Sequence, residues 1–480
     1  MAQRFVRSVG TYLPLLRLDR KAAAAALAWS GLGGPRSGRR AVAKWDEDAL
    51  TMAVEAARSA IGSADIADIS AVTFASTSGP FTERLHAAIA IEALRLPPST
   101  MSQDLAGSRR CAVAALLRAL KSAPGGAEII LSGERRVTAP GNALQLAWGD
   151  GAAAAIVADD GIARLLGHAS VSADIVDIYS SASHPAPYAS EERFVRDETV
   201  ASILAPAIAR ACDEAGIAPA DVDIAVVSEP VQGTYKAVAA TLAIGAPNLC
   251  EAIQHQAGDL GAALPLFGLA LALEQGRPGQ RILLAGFGSG CDALILQVTG
   301  TAPDPSAAPS LAEGVNLANY TRFLSLVGSL DLDWGPRSEL EQKTAASVLA
   351  RHGRDMHGFV GGRDSTGNVQ FPKTLIPVSP SIEGPETLAD ESLADLTARI
   401  VSLTADRLNF TPDPPFHFGL VQFANGARVS MEFCDAEGAD MAVGDPVAMA
   451  FRIKSIDRRR GFRTYFWKAR PRDRARLEGC

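Results

Sequence analysis

The feature that most constrains this chain is an internal repeat. A helical stretch followed by a buried strand, Ala53–Ser76, recurs at Ala205–Ser228, an offset of 152 residues. The strand IILSG at Ile129 recurs as ILLAG at Ile282, an offset of 153. GDGAAAAIV from Gly149 returns as GSGCDALILQV from Gly288. Two copies of one α/β unit imply a pseudo-twofold fold.

Each copy also carries a helix that is apolar nearly all round, within DLAGSRRCAVAALLRAL (104–120) and AGDLGAALPLFGLALALE (257–274). A helix apolar on every face lies inside a protein. The two helix N-termini are therefore expected to meet near the middle of the fold. A helix start offers free backbone N–H groups and the positive end of a dipole, which activates a nucleophile or holds an anion. Arg109, Arg110 and Cys111 stand at the first such start, with Asp104 and Ser108 as expected caps. A thiol there is a candidate nucleophile. On residue type alone the plainer reading, a small core residue on an Ala-rich helix, is favoured.

The remaining elements follow in order. GTYLPLL reads as a strand entering a turn at Pro14, 46–61 as a helix with an acidic start, and 69–76 as a strand covered on both sides. After Thr301 comes a Pro/Ala/Ser linker, then a mixed segment with Tyr320, Phe323 and Trp334. From about Val360 the pattern turns to short β runs: TLIPVS, ARIVSLTADRL, FHFGLVQF, ARVSMEF, DPVAMAFRI and FRTYFWKARP. ANG between two of them marks a hairpin, and strands without intervening helices suggest a small OB-type barrel. The expected divisions are 1–167 and 168–300 for the two halves, 301–358 for a linker and helical segment, and 359–480 for the β-rich domain.

Charge and cysteine usage narrow the function. The formal net charge of −7 argues against a nucleic-acid binder, so the basic tail from Ile456 is read as a solvated last strand. No run reaches the ~18 apolar residues of a membrane span. The first residues lack the apolar core of a signal peptide. The six cysteines are scattered, with no CxxC pair, which fits reduced thiols in the cytoplasm.

The first 300 residues resemble the thiolase superfamily, in the branch of HMG-CoA synthase and β-ketoacyl-ACP synthase III. The resemblance rests on GTYLP, DEDALTMAVEAAR, Asp104 with Ala115-Leu116 after it, GDGAAAAIV and PGQRILLAGFGSG. TADRLNFTPDPPF, VGDPVAMAFR and YFWKARP are similar to the OB-fold domain encoded with or fused to such synthases. The resemblance implies a duplicated five-layer α-β-α-β-α fold with a C-terminal OB-fold domain, a homodimer, and coenzyme A or acetyl-CoA as substrate with no resident cofactor. It also implies a Cys–His–Asn set, from which this chain departs at every position. The nucleophile place falls on Arg109, the histidine place on Ser228 and the asparagine place on Asp259. The glutamate of a true HMG-CoA synthase falls near Thr77. The relatives' four-Cys zinc ribbon matches 359–381, which holds no cysteine, so no metal is expected.

The candidate catalytic residues are Cys111, Ser228, Glu229, His255 and Asp259. Ser108, Arg109, Arg110, Gly288 and Ser289 are candidate substrate contacts, the arginines for a carboxylate or enolate and the Gly-Ser-Gly turn for an oxyanion. Each has a plainer reading: a loop histidine, a surface carboxylate, a helix cap or a buried ion pair. Three functions stay open. The chain is a CoA-thioester acyltransferase that makes or cleaves a C–C bond with a β-keto or carboxylic acid partner, by a non-standard site or in the manner of an HMG-CoA synthase. Alternatively it is a synthase-like partner subunit of a thiolase, or it binds acyl-CoA without turnover.

Overall fold

The computed structural model describes residues 3–32, 34, 37–62, 66–302, 304–333 and 346–472. Trp334, Cys480 and the end of the basic tail lie outside them. The chain forms two compact units: one of 1–44, 48–88 and 96–329, the other of 45–47, 89–95 and 330–480.

The first unit is built on a nine-stranded sheet. In spatial order its strands are Ile224–Val227, Arg281–Phe287, Gly290–Val298, Ala163–Ser172, Phe5–Tyr12, Gly151–Ala158, Ala127–Glu134, Ile69–Ala75 and Met101–Leu105. The repeat is visible in the register. Val72 pairs with Ile129 in one half and Ile224 with Ile282 in the other, both in parallel. Those pairs are related by the offsets of 152 and 153 read from the sequence. Among the described residues the first half has an outer fifth strand, Met101–Leu105, whose counterpart in the second half is a single bridge between Ala225 and Asn248.

The two apolar helices run Cys111–Lys121 and Ala263–Gln275. Both pack on strands of both halves and on each other, so they form the middle layer. Ala49–Ile61 covers the outside of the first half and Ala205–Ala215 that of the second. This is the five-layer arrangement. The largest core cluster centres on the middle layer, with Leu116, Ala119, Leu264, Phe267 and Leu269 almost fully buried. Gly286 permits the close approach of the first middle helix, because a Cβ there would lie 2.7 Å from Val113 Cγ2.

Residues 301–329, where the composition suggests a linker, carry ordered elements of this unit. Val315–Leu317 adds to Leu16–Asp19 and Arg39–Val42 as a three-stranded sheet. Tyr320 and Phe323 pack beneath it. Alternating Leu, Val and Tyr among the prolines supplies the apolar face.

The second unit contains a five-stranded barrel sheet in the order Arg428–Glu432, Phe416–Phe423, Ala398–Asp406, Pro446–Asp457, Phe462–Pro471. A bridge between Phe433 and Ala469 links its ends. Asn425-Gly426 makes the expected hairpin, with Gly426 at φ +88°. TLIPVS is not a strand. Pro372 and Pro377 interrupt the backbone donors, and Leu375, Ile376 and Val378 are exposed. The cations of the last strands turn partly inward. Lys468 is ion-paired with Asp46 at 3.0 Å and Glu432 at 2.9 Å, all inside this unit.

Candidate active site

The strand Met101–Leu105 runs into a loop that reverses at Gly107 (φ +84°) and starts the first middle helix. The expected caps do other work. Asp104 accepts hydrogen bonds from the backbone N–H groups of His86 (2.8 Å) and Ala87 (3.0 Å) and from the His86 ring (2.7 Å). It thus holds the start of a different helix, because a parallel strand end points toward the next helix start packed beside it. Ser108 Oγ accepts a long hydrogen bond from the Arg110 N–H at 3.4 Å, at the helix start, and donates to the Gly288 carbonyl at 2.6 Å, across the two halves.

Arg109 and Arg110 point in different directions. Arg110 is fixed to the second half, donating to the Val171 carbonyl (3.0 Å) and Ser172 Oγ (3.2 Å), with Asp292 at 3.8 Å. Arg109 reaches a cluster of charge. It is ion-paired with Asp177, and its Nη1 lies 3.9 Å from Asp259 Oδ2. The same Asp259 oxygen lies 3.2 Å from Arg136 Nη2. Asp259 is positioned by a bridge to Trp148 and accepts from the Gly261 N–H at 2.8 Å. Burial opposes its ionisation, but Arg136 and Arg109 outweigh that and hold its carboxyl below the usual range.

Cys111 is 6 % exposed and belongs to the core cluster. Burial pushes its thiol well above the ordinary value, and the nearby Glu134 carboxyl adds to the shift. A thiol so placed is not a ready thiolate. Glu134 is fully buried beside it, accepting from the Thr77 N–H (2.7 Å), Thr77 Oγ1 (3.0 Å) and Ser78 Oγ (2.5 Å). Burial raises its pKa against the pull of Arg136 and those donors.

The second half places its candidates unevenly. Ser228 Oγ accepts from the Phe287 N–H at 2.8 Å, beside the Gly288 turn. Glu229 is buried, and one carboxylate oxygen accepts from the Tyr235 N–H at 2.8 Å, at the start of the helix Thr234–Leu242. Its other oxygen has no partner among the described residues. Burial raises its pKa to about 7. His255 lies apart: it is exposed on the helix Leu249–Ala257, with its backbone against Gly38. In the Gly288-Ser289-Gly290 turn, Ser289 adopts φ +48°, a strained conformation of the kind found where a backbone serves a ligand. Among the described residues, neither the Ser289 N–H nor the Arg109 N–H donates a hydrogen bond.

The structure therefore brings together Ser108, Arg109, Asp259, Gly288 and Ser289. It adds Arg136, Asp177 and Glu134, which the sequence reading did not select. The signal for two of them was present: GERR puts three charges at the end of a strand whose Ile129, Ile130 and Leu131 are fully buried. The assembly offers uncommitted main-chain donors at a helix start, two arginines and the buried Glu134 carboxyl with its raised pKa. Among the described residues no three His, Cys, Asp or Glu side chains are grouped as metal ligands. No helix among them is long and apolar enough to cross a membrane.

Comparison with known proteins agrees with this architecture. Residues 212–298 match the model of the 3-oxoacyl-[acyl-carrier-protein] synthase III C terminus, and 391–452 match that of the ChsH2 C-terminal OB-fold domain. Among solved structures, an HMG-CoA synthase complexed with CoA superposes with a TM-score of 0.58 at 17 % identity, covering 72 % of this chain and 95 % of that one. The 3-oxoacyl-(acyl carrier protein) synthase III of Pseudomonas aeruginosa gives 0.53 at 22 % identity, covering 63 % and 100 %. These define a thiolase-superfamily synthase joined in one chain to an OB-fold domain. The hydroxymethylglutaryl-CoA synthase of Aeropyrum pernix is 30 % identical over 356 residues, 71 % of this chain and 94 % of that protein. The one from Pyrococcus horikoshii is 27 % identical over 292 residues, 58 % of this chain and 82 % of that protein. The chain belongs to the hydroxymethylglutaryl-CoA synthase family.

Proposed function

We propose that this protein is a CoA-thioester acyltransferase of Claisen or retro-Claisen type that works without an acyl-cysteine. The observation that carries the reading is Arg109, ion-paired with Asp177 and Asp259 where the family's nucleophile would stand, while Cys111 is buried and protonated. Both substrates are then bound together, an acyl-CoA and a β-keto or carboxylic acid partner. In the condensing direction a base removes the α-proton of the acid partner. The resulting carbanion bonds to the carbonyl carbon of the acyl-CoA, whose C–S bond breaks, and the CoA thiolate takes up a proton. The Arg109 and Ser289 N–H groups hold the oxyanion. Glu229 moves the proton, since a carboxyl titrating near pH 7 with an unengaged oxygen suits that task. Ser108 and Gly288 set the loop, and Arg110 fixes the helix start to the second half.

The test is turnover by the purified chain with CoA, acetyl-CoA and a panel of β-keto acids and acyl-CoAs, followed by mass spectrometry of the thioesters. New thioesters without a covalent acyl adduct on the protein are expected. An adduct on Cys111 overturns the mechanism.

A second reading, the partner subunit of a thiolase, draws support from the exposed run Leu375, Ile376 and Val378 in the second unit. It requires that turnover appear only when a thiolase is added. Unpaired cysteines at 111, 212, 250, 291 and 434 support a reducing compartment such as the cytoplasm. The homodimer belongs to the same proposal and is tested by light scattering.

A further inference from the structure

A second set of interacting side chains lies at the far end of the first middle helix, about 15 Å along its axis from Cys111. Lys121 is the last residue of that helix and is exposed. Its Nζ lies 2.7 Å from His168 Nε2. His168 Nδ1 lies 2.8 Å from Glu214 Oε2, and the same oxygen accepts from the His168 backbone N–H at 2.7 Å. A carboxylate on Nδ1 fixes the ring's tautomer, so Nε2 turns its lone pair to Lys121. Two features of the chain build this alignment. Ile295 pairs with Gly167 and Leu296 with Leu165, which leaves Leu166 as a bulge beside His168. Gly167 lets the helix Ala205–Ala215 close on the strand, since a Cβ there would lie 2.4 Å from the Ala215 nitrogen and 2.6 Å from the Ala211 carbonyl oxygen. That approach brings Glu214 to the ring. The His168 and Glu214 side chains are 21 % and 48 % exposed, so a solute can reach the row.

We propose that Lys121, His168 and Glu214 form a nucleophile, a base and its carboxylate, at which the protein becomes acylated on Lys121 by a CoA thioester. The lysine first gives up its extra proton through His168 to water. The amine Nζ then bonds to the thioester carbonyl carbon, and His168 Nε2 takes a proton from that nitrogen. The C–S bond breaks, an amide forms, and His168 returns the proton to the CoA thiolate. Glu214 stabilises the imidazolium between those steps. A positioned base contributes about 10²–10⁴-fold. The helix C-terminus favours the ammonium form, but by a factor of about five at most, so the base prevails. The amide carries no charge, and the modification therefore removes a cation from this end of the helix. The step uses no residue of the candidate active site and stands apart from the reading of that site.

Incubation of the whole protein with acetyl-CoA at pH 8, followed by tryptic mass spectrometry, tests this. Lys236 is the internal reference: it is exposed on the helix Thr234–Leu242 and makes no side-chain hydrogen bond among the described residues. Lys121 is expected to be acetylated at least tenfold faster than Lys236. In His168→Gln the two rates become equal to within about twofold, while Lys236 is unchanged. Equal rates in the unaltered protein overturn the proposal. So does a fast Lys121 in folded His168→Gln, since the lysine is then reactive without its base. If His168→Gln does not fold, Glu214→Gln carries the same comparison: a drop in the Lys121 rate alone supports the row, and an unchanged rate overturns it.

Discussion

Glu229→Gln is the substitution whose outcome follows most directly from the structure. In the folded protein the Glu229 carboxyl titrates near 7, chiefly because it is buried, with Glu251 adding repulsion and the helix-start N–H groups opposing both. In the unfolded chain it titrates near 4.5. Between those values the folded state holds a proton that the unfolded state has lost. Stability therefore falls as pH rises from about 4.5 to about 7, and stays lower above that. The difference amounts to on the order of 3 kcal/mol. Glutamine keeps an acceptor for the Tyr235 N–H and carries no charge to desolvate. The variant should match the parent near pH 4.5 and exceed it by on the order of 3 kcal/mol at pH 8, about 5 °C in melting temperature. Urea unfolding at both pH values measures this. A stability difference that does not change with pH, or a loss at pH 8, would refute the burial argument. In turnover assays the same variant should lose the ionisation near pH 7 from kcat/KM, together with most of the rate.

Three further outcomes are expected. Cys111→Ala should retain turnover, and the native thiol should resist iodoacetamide at pH 8 until the protein is unfolded, as burial dictates. Arg109→Gln leaves Asp177, only 9 % exposed, without its cation; this should cost about 3 kcal/mol in chemical denaturation and abolish turnover. Lys468→Met removes the buried cation shared by Asp46 and Glu432, leaving Glu432 only Lys454, and should destabilise the second unit by about 3 kcal/mol, seen as an earlier Trp467 fluorescence transition.

The repeat and the two middle helices were legible because apolar periodicity and equal spacing are properties of the chain itself. The Val72–Ile129 and Ile224–Ile282 pairs could be read as equivalents before any coordinates. What failed was partner choice. Asp104 looked like a cap for the helix that follows it, but capping depends on which helix start lies within reach, and that was His86–Ala93. TLIPVS had strand composition and no usable run of backbone donors. The Arg109–Asp177 and Arg136–Asp259 contacts were invisible because no local pattern states which carboxylate a guanidinium meets across the fold. Arg136 and Glu134 did carry a local signal, because GERR closes a strand whose Ile129, Ile130 and Leu131 are fully buried, a position where charge is expensive without a purpose.

The Ser108–Gly288 hydrogen bond spans 180 residues of sequence, Arg136 to Asp259 spans 123 and Arg109 to Asp177 spans 68. Nothing that defines the site is local. During folding, helices and hairpins form within microseconds, whereas these contacts wait on the closure of long loops and the docking of one half against the other. Competence to bind substrate should consequently emerge last in refolding, well after helical circular dichroism has recovered. A ribosome must also have released both halves of the first unit before the nascent protein can engage a thioester at all.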